Sequence, residues 1–258
     1  MKIRLIPVLF FKNGNLVRSE NFSLHQILGD PFLQVKRYNS WNVDEIIYLD
    51  ISSEKKFQVK DKSFSKITSF EDVMNDVSKT CFSPLVFGGG ILTIEDAKNY
   101  FQNGADKISL NTLILEDFNK ISEFANIFGS QSIVASIDII KDKGKYKIYS
   151  AKKNKIYDFN FIEFIKDVEK KGAGEILLNS VDRDGTAEGY DTKLIKYVND
   201  RISIPLIPCG GVGEPKHFMD LLQITNLSAI AAGNIFNFKE RSYEKIKKYL
   251  KQNNFRIR

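Results

Sequence analysis

Eight short apolar runs recur along the chain, and a stretch of helical periodicity separates most runs from the next. The runs are Ile3–Phe10, Glu45–Ser52, Pro84–Gly90, Asp106–Thr112, Ile133–Asp138, Glu175–Val181, Pro205–Gly211 and Ser228–Asn234. Their apolar residues are consecutive rather than alternating, which is typical of strands buried on both faces of a parallel sheet. Eight β/α units of this length predict an α/β fold, a (β/α)8 TIM barrel that forms one domain over residues 1–258.

The segments between the runs carry the signals that begin and end helices. In "DPFLQVKRYNSW", Asp30 is the predicted N-cap and Pro31 the first helical residue, and "TIEDAKNYFQNG" and "DFNFIEFIKDVEKKG" have the same helical period. The stretch Ile139–Lys155 is too long and too alternating for a simple loop, so it predicts a hairpin in the fifth βα connection.

An internal repeat supports the barrel. "PLVFGGGI", which begins at Pro84, returns as "PLIPCGGVG" at Pro205, and the strand after each copy ends in an asparagine, Asn111 or Asn234. Repetition of a strand and its glycine turn at a long interval indicates two half-barrels in tandem.

Composition restricts the class of protein. Hydrophobic residues make up 43% of the sequence and charged residues 27%, as in a globular protein with a sizeable core. The N-terminal "MKIRLIPVLFFKNG" has an apolar run of only about seven residues and no small-residue cleavage site, so we expect neither a signal peptide nor a membrane span, and a cytoplasmic protein. The two cysteines, Cys81 and Cys209, are too few for a disulfide framework or a metal cluster, and we expect no metal or cofactor.

The formal net charge of +6 comes with lysines that are spread over several runs. A nucleic-acid-binding surface would interleave basic residues with aromatic residues on one face, and no nucleic-acid-binding motif accompanies these lysines. We therefore interpret the runs as solvated surface, with attraction of an anionic substrate or partner as the alternative.

Glycine turns follow several predicted strands, at the end of a barrel where active sites are found. Such turns leave backbone N–H groups uncovered, and a following helix N-terminus adds positive potential, so each turn can hold a phosphate. The first set is Gly88, Gly89, Gly90, Asn111 and Thr112, and the second is Asp184, Gly185, Gly210, Gly211, Gly233 and Asn234. Two sets related by the repeat suggest a long substrate with a phosphate at either end.

Several motifs together resemble the cyclase (synthase) subunit of imidazole glycerol phosphate synthase. They are "LIPVLFFKNG", "RYN", "VDEIIYLDIS", "PLVFGGGI", "GADKISLNT", "FGSQSIVASID", "GAGEILLNSVDRDGTAEGYD" and "CGGVG", and they cover nearly the whole chain. The resemblance implies a barrel that receives ammonia from a glutaminase partner and passes it through its centre. At its top a bis-phosphorylated, nucleotide-like substrate would be cyclised and cleaved, with its two phosphates on the two glycine sets.

The family's chemistry uses two aspartates, at the ends of strands one and five, as general acid and base. The resemblance assigns the strand-five position to Asp138 and the strand-one position to Phe10, which can neither accept nor donate a proton. General acid–base catalysis contributes about 10²–10⁴ in rate, so loss of one partner should cripple cyclisation. Arg18 replaces a loop lysine of the family, and Asp50 and Asp182 occupy other strand ends, where substrate contact and loop support are both open.

At the opposite end of the barrel, the family has a ring of four charged residues that gates the entry of ammonia. The resemblance places this ring at Arg4, Glu45, Lys107 and Glu175, with no substitution. Two positive and two negative charges can neutralise one another and still leave a path for a small neutral molecule. Asp106 and Gln131 match family positions that face the glutaminase.

An intact ammonia-receiving end and an incomplete acid–base pair favour an ammonia-using synthase subunit that has diverged from the histidine-pathway cyclase. In lacking the strand-one aspartate, the sequence resembles cyclase-like proteins that accompany a glutaminase and a sugar amidotransferase in acetamidino-sugar synthesis for surface polysaccharides. The glutaminase is therefore the expected partner, and the sugar amidotransferase is a further candidate.

Two alternatives stay open. One is a working imidazole glycerol phosphate synthase cyclase with a substituted base, and the other is a non-catalytic scaffold barrel that binds a phosphorylated metabolite. A phosphosugar isomerase is disfavoured, because such barrels also need the strand-one aspartate.

Overall fold

Eight parallel strands form a ring in the computed structural model, which describes residues 2–54, 68–238 and 241–258. Numbered in chain order, the ring strands are β1 (Arg4–Lys12), β4 (Ile46–Asp50), β5 (Leu85–Gly88), β6 (Lys107–Leu110), β7 (Ile133–Asp142), β10 (Glu175–Ser180), β11 (Leu206–Cys209) and β12 (Ala229–Ala232). The others are β2 (Asn15–Glu20), β3 (Leu24–Gly29), β8 (Lys145–Ser150) and β9 (Lys155–Tyr157). Parallel pairing runs from β12 through β1 to β11, and β11 lies beside β12, so the ring closes. The predicted (β/α)8 fold is confirmed.

Helices follow the barrel strands and cover the ring. They are α1 (Pro31–Ser40), α2 (Phe70–Thr80), α3 (Ile94–Gln102), α4 (Thr112–Glu116), α5 (Lys120–Phe128), α6 (Phe161–Lys170), α7 (Thr192–Asn199), α8 (Pro215–Ile224), α9 (Ile235–Phe238) and α10 (Ser242–Gln252). Asp30 caps α1 as predicted, since its carboxylate accepts the backbone N–H of Phe32 at 2.6 Å. Within the described ranges, no helix is long and apolar enough to cross a membrane.

Apolar side chains fill two layers, one inside the ring and one between the ring and the helices. The inner layer consists of Ile6, Val8, Ile47, Val86, Val134, Leu177, Ile207, Cys209, Ala229 and Ala231, with Phe10 and Leu49 packed against it. Successive residues of a strand point to opposite faces, so Ile6, Val8 and Phe10 of β1 face inward while Leu5 and Leu9 pack against helices. Residues at even positions of β1 are therefore the ones that can reach the centre of the barrel.

Two extensions continue from the carboxyl ends of ring strands. The strands β2 and β3 follow β1 as an antiparallel meander, and β8 and β9 continue β7. The second extension contains the hairpin predicted for Ile139–Lys155, with one more short strand. The first differs from the prediction of a loop around Arg18, which is wrong because Arg18 lies on β2. Pairing with the overhanging end of β1 stabilises a strand whose own sequence has no clear apolar alternation.

Candidate active site at the mouth of the barrel

Asp138 is a buried carboxyl group on the inner face of β7, with 5% of its surface exposed. Asn179 of β10 donates its side-chain amide to one carboxylate oxygen at 2.7 Å, and Asn111 donates to the other at 3.0 Å. Burial raises the pKa of Asp138 to about 6, the two amide donors act in the opposite direction, and the negative charge of Asp184 adds to the rise. A carboxyl group that titrates near neutral pH is suited to general acid–base chemistry.

Phe10 occupies the opposite side of the mouth. The order of strands around the ring is β1, β4, β5, β6, β7, β10, β11 and β12, so β1 and β7 lie across from one another. Phe10 points inward with Ile6 and Val8 and is partly buried on the inner layer. Because a phenyl ring has no transferable proton, position 10 of β1 offers Asp138 no acid–base partner.

The first glycine set lies where β5 and β6 end. Gly89 and Gly90 have φ values of 117° and 65°, and a Cβ on Gly89 would lie 2.3 Å from the backbone oxygen of Asp50. Only glycine fits such a backbone, so the turn is determined locally by the sequence. The Asn111 side chain is held by Asp138 and by the Ser136 carbonyl, while Thr112 is the first residue of α4. The structure therefore joins Asn111 to the carboxyl group rather than to the glycine turn.

Asp50 and Asp182 both support loops. The Asp50 carboxylate accepts the backbone N–H of Ser52 at 2.9 Å, and burial raises its pKa. The exposed Asp182 carboxylate accepts the backbone N–H of Lys141 at 2.6 Å. Of the two interpretations left open by the sequence, loop support is the one visible in the contacts of both residues.

A cavity of about 270 Å³ opens at the second glycine set. Its walls include the turns that follow β11 and β12, together with Phe10, Arg18 and Asp184. Gly211 has a φ of 92°, and a Cβ there would lie 2.1 Å from a neighbouring carbonyl oxygen. Burial raises the pKa of Cys209, which also lines the cavity, to about 12, so its thiol is neutral. Among the described residues, the wall of this glycine-lined cavity therefore has one cation, Arg18, and one carboxyl group, Asp184.

Asp184 fastens the β2–β3 extension to this cavity. One oxygen of its carboxyl group accepts the Ser19 hydroxyl at 2.6 Å and the backbone N–H of Phe22 at 3.2 Å. Asn234 donates its side-chain amide to the Ser19 carbonyl at 3.1 Å. These contacts place Arg18 on the cavity wall, where its guanidinium lies 2.9 Å from the Glu20 carboxylate. Gly185 follows Asp184 directly and packs against the same extension, since a Cβ there would meet Glu20 Cα at 2.8 Å.

At the N-terminal end of the barrel, four charged side chains form a closed ring of salt bridges. Arg4 lies 2.5 Å from Glu45 and 2.6 Å from Glu175, and Lys107 lies 3.0 Å and 2.9 Å from the same two carboxylates. The glutamate side chains are only 3% and 11% exposed. Burial opposes the charge of Arg4, but the attraction of both glutamates gives its pKa a net rise. Each side chain of the ring forms ion pairs with two side chains of opposite charge, and such pairing offsets the cost of burying ions.

Between this ring and Asp138 the interior contains the apolar inner layer. On β10, Glu175 belongs to the ring, Leu177 to the inner layer, and Asn179 to the contacts of Asp138. Four residues of strand correspond to roughly 13 Å. A neutral molecule crosses such an interior at far lower cost than an ion does.

Asp106 and Gln131 lie at the same end as the ring of charges, and both are exposed. Asp106 precedes β6 and accepts the backbone N–H of Leu85 at 2.8 Å. Gln131 belongs to the 3-10 turn Ser130–Ser132 just before β7. Over the part of the chain that the structure describes, no three His, Cys, Asp or Glu side chains are placed to hold a metal ion.

Asn179 contacts Asp138 and is not among the site residues predicted from the sequence. It is the first polar residue after the apolar run in "EILLNS", and only 7% of it is exposed. A buried side-chain amide requires hydrogen-bond partners, so a lone asparagine at the end of an apolar strand is the signal that could have identified it.

The comparisons with known proteins agree with this geometry. The family described as Histidine biosynthesis protein matches residues 4–242. A Campylobacter jejuni subsp. jejuni serotype O:2 protein, provisionally named imidazole glycerol phosphate synthase subunit hisF2, is 38% identical over 258 residues, covering 100% of this chain and 99% of its own. A Vibrio vulnificus (strain YJ016) protein with the same provisional name is 38% identical over 242 residues, covering 94% and 86%. The imidazole glycerol phosphate synthase subunit HisF of Hydrogenobaculum sp. (strain Y04AAS1) is also 38% identical, covering 99% and 98%. The chain therefore belongs to the histidine biosynthesis protein family, together with these HisF and hisF2 subunits.

Proposed function

We propose that this chain is the ammonia-receiving subunit of a glutamine amidotransferase complex. Ammonia released by a glutaminase partner would enter at the ring formed by Arg4, Glu45, Lys107 and Glu175 and would leave at the mouth. One observation carries the proposal, namely the contrast between the two ends of the barrel. Four charges form a closed ring at one end, while at the other end the buried carboxyl group of Asp138 lies across from Phe10, which has no acid–base function.

The ring and the inner layer suit the passage of ammonia. The ring has no formal net charge, and its four members are committed to one another at 2.5–3.0 Å. The apolar layer above the ring disfavours water, which would lose hydrogen bonds there, and disfavours ammonium more strongly, because an ion would lose its hydration. Ammonia that enters would therefore cross as a neutral molecule, protected from protonation by solvent.

The mouth favours delivery of ammonia to an acceptor held by another protein. Without a second acid–base group, cyclisation would lose about 10²–10⁴ in rate. Delivery to a sugar amidotransferase that makes acetamidino sugars for surface polysaccharides fits a barrel with Phe10 at this position. The relatives named hisF2 are in line with a second form of the subunit.

An ammonia-dependent assay tests the proposal at the mouth. The purified chain would be incubated with an ammonium salt and the bis-phosphorylated substrate of imidazole glycerol phosphate synthase, and the product measured for wild type, Phe10→Asp and Asp138→Asn. We expect the wild type to form no more product than Asp138→Asn. Wild-type turnover that Asp138→Asn abolishes would overturn the proposal.

Wild-type turnover that Asp138→Asn abolishes would support the other candidate function, a cyclase that works with one carboxyl group. The observation in its favour is Asp138 itself, because a pKa of about 6 and contacts with two amide donors suit an acid–base group. Phe10→Asp separates the two candidates further. If this variant gains cyclase activity over an inactive wild type, the wild type lacks only the second carboxyl group and is not itself a working cyclase.

A binding experiment tests the proposal at the other end. Association with the glutaminase subunit of an imidazole glycerol phosphate synthase would be measured by analytical ultracentrifugation. Reversal of an exposed charge beside the ring, Asp106→Arg, should weaken binding by about tenfold or more. Lys152→Glu reverses an exposed charge in the β8–β9 turn and should leave binding unchanged. Equal effects of the two variants would contradict docking at the ring end.

A further inference from the structure

The direction of the Phe10 side chain has a consequence for what the mouth can bind. Phe10 extends inward from β1 and Asp138 from β7, so the line between them divides the mouth in two. The first glycine set comes from β5 and β6, on one side of that line. The second comes from the ends of β10, β11 and β12, on the other side.

The cavity at the second set agrees with this division. Phe10 forms part of its wall, and Cε2 of the ring lies 3.7 Å from the position of a Cβ on Gly233. The lining residues of this cavity come from the second set and its surroundings, and Gly89, Gly90 and Asp138 are not among them. A ligand bound on Gly233 would therefore lie against the phenyl ring before it could reach the first set.

We propose that Phe10 is a specificity-determining residue that separates the two glycine sets, so that the cavity beside it takes a compact phosphate monoester rather than a ligand that spans both sets. The phosphate group would lie on the turns at Gly210, Gly211 and Gly233, with Arg18 as its counter-charge. Its organic part would pack against Phe10 and Val212.

Size and charge both support a compact monoester. A volume of about 270 Å³ is below the roughly 300–1,000 Å³ typical of pockets for drug-sized ligands. Among the described residues that line the cavity, Arg18 is the one permanent cation, and a phosphate would share its guanidinium with the Glu20 carboxylate, which lies 2.9 Å away. Asp184 already accepts hydrogen bonds from Ser19 and Phe22. One phosphate group matches one guanidinium, and the apolar wall is short.

Isothermal titration calorimetry with two probes tests the inference, using glycerol 3-phosphate as the monoester and fructose 1,6-bisphosphate as a ligand with phosphates at opposite ends. The wild type should bind both with dissociation constants within about threefold, because the second phosphate finds no second set. Phe10→Ala should bind the bisphosphate at least about tenfold more tightly and the monoester within about threefold. Thr112→Ala in the first set should then reverse the gain seen in Phe10→Ala.

Leu49→Ala is the matched control, since Leu49 is the neighbour of Phe10 on β4, packs on the same inner layer and does not line the cavity. It should bind both probes as the wild type does. Arg18→Met should weaken both probes by about fivefold or more, as loss of a charge-assisted contact to phosphate would. Preferential binding of the bisphosphate by the wild type would overturn the inference. Failure of the wild type to bind the two probes would overturn it as well. These binding measurements do not depend on ammonia transfer, so the inference about Phe10 can fail while the proposed function stands.

Discussion

Replacing Asp138 by asparagine should change the pH dependence of stability in a direction fixed by its environment. Burial raises the pKa of this carboxyl group from 3.8 to about 6 in the folded protein. The folded state therefore binds more protons than the unfolded state between these values, and the wild type loses stability as the pH rises through them. The whole displacement corresponds to about 3 kcal/mol, and about 2 kcal/mol of it falls between pH ~4.5 and pH ~7.5.

The Asp138→Asn variant lacks this titration. Its free energy of unfolding relative to wild type should therefore rise by about 2 kcal/mol from pH ~4.5 to pH ~7.5. Asparagine also opposes an NH₂ group to the amide donors of Asn179 or Asn111, but that loss is the same at both pH values and cancels in the difference. Urea denaturation at the two pH values measures the quantity directly.

Ser109→Ala is the control, because it removes a buried neutral hydroxyl from the neighbouring ring strand β6. Its effect on stability should be the same at both pH values. A constant difference for Asp138→Asn, within about 0.5 kcal/mol, would refute the reasoning that the carboxylate is destabilised by burial. A difference that falls with rising pH would show that the two amide donors outweigh burial.

Two further predictions concern the ring of charges and a glycine turn. Lys107→Met leaves two buried glutamates with one shared arginine and should lower the free energy of unfolding, measured by urea denaturation, by about 2–4 kcal/mol. Adding Glu45→Gln to this variant should restore at least about 1 kcal/mol. Additive effects of the two substitutions would show that the four charges do not act as a unit. Gly211→Ala, with a φ of 92° and a carbonyl 2.1 Å from its Cβ, should cost more than about 2 kcal/mol. Gly144→Ala, also left-handed but open to solvent, should cost about 1 kcal/mol, and equal losses would contradict the contact argument.

The ring strands could be predicted from sequence because continuous burial leaves a local signal. The strands β2 and β3 could not, since "NLVRSE" and "LHQILG" mix polar and apolar residues without a period, and their pairing depends on the length by which β1 overhangs. The hydrogen bond that Ser19 of β2 donates to Asp184 joins segments far apart in the chain. Such contacts have no local pattern for a sequence argument to use.

The same distinction applies to the site. The resemblance to the cyclase subunits assigned Asp138 to one end of the barrel and the four ring charges to the other, and the convergence of parallel strand ends explains why each set comes together. The contact of Asn179 with Asp138 depends on the register between β10 and β7, in which these two residues are partners. Register follows from the assembled barrel rather than from either strand alone. Asn111 likewise donates its side-chain amide to Asp138 rather than to the glycine turn. This contact also depends on the assembled barrel and could not be predicted from the local sequence.

The two ends of the barrel can differ in what they retain because the same strands carry them far apart. On β1, Arg4 and Phe10 are separated by Ile6 and Val8, and six residues of strand span roughly 20 Å. Side chains at that separation share no contacts, so the residue at position 10 alters chemistry at the mouth without disturbing the salt bridges at the other end. The resemblance implies that a cyclase uses the ring, the apolar interior and two acid–base groups, whereas the proposed conduction of ammonia uses only the first two. Under the proposed function, phenylalanine at position 10 is compatible with conduction, because it removes an acid–base group at the mouth and leaves the salt bridges of the ring unchanged.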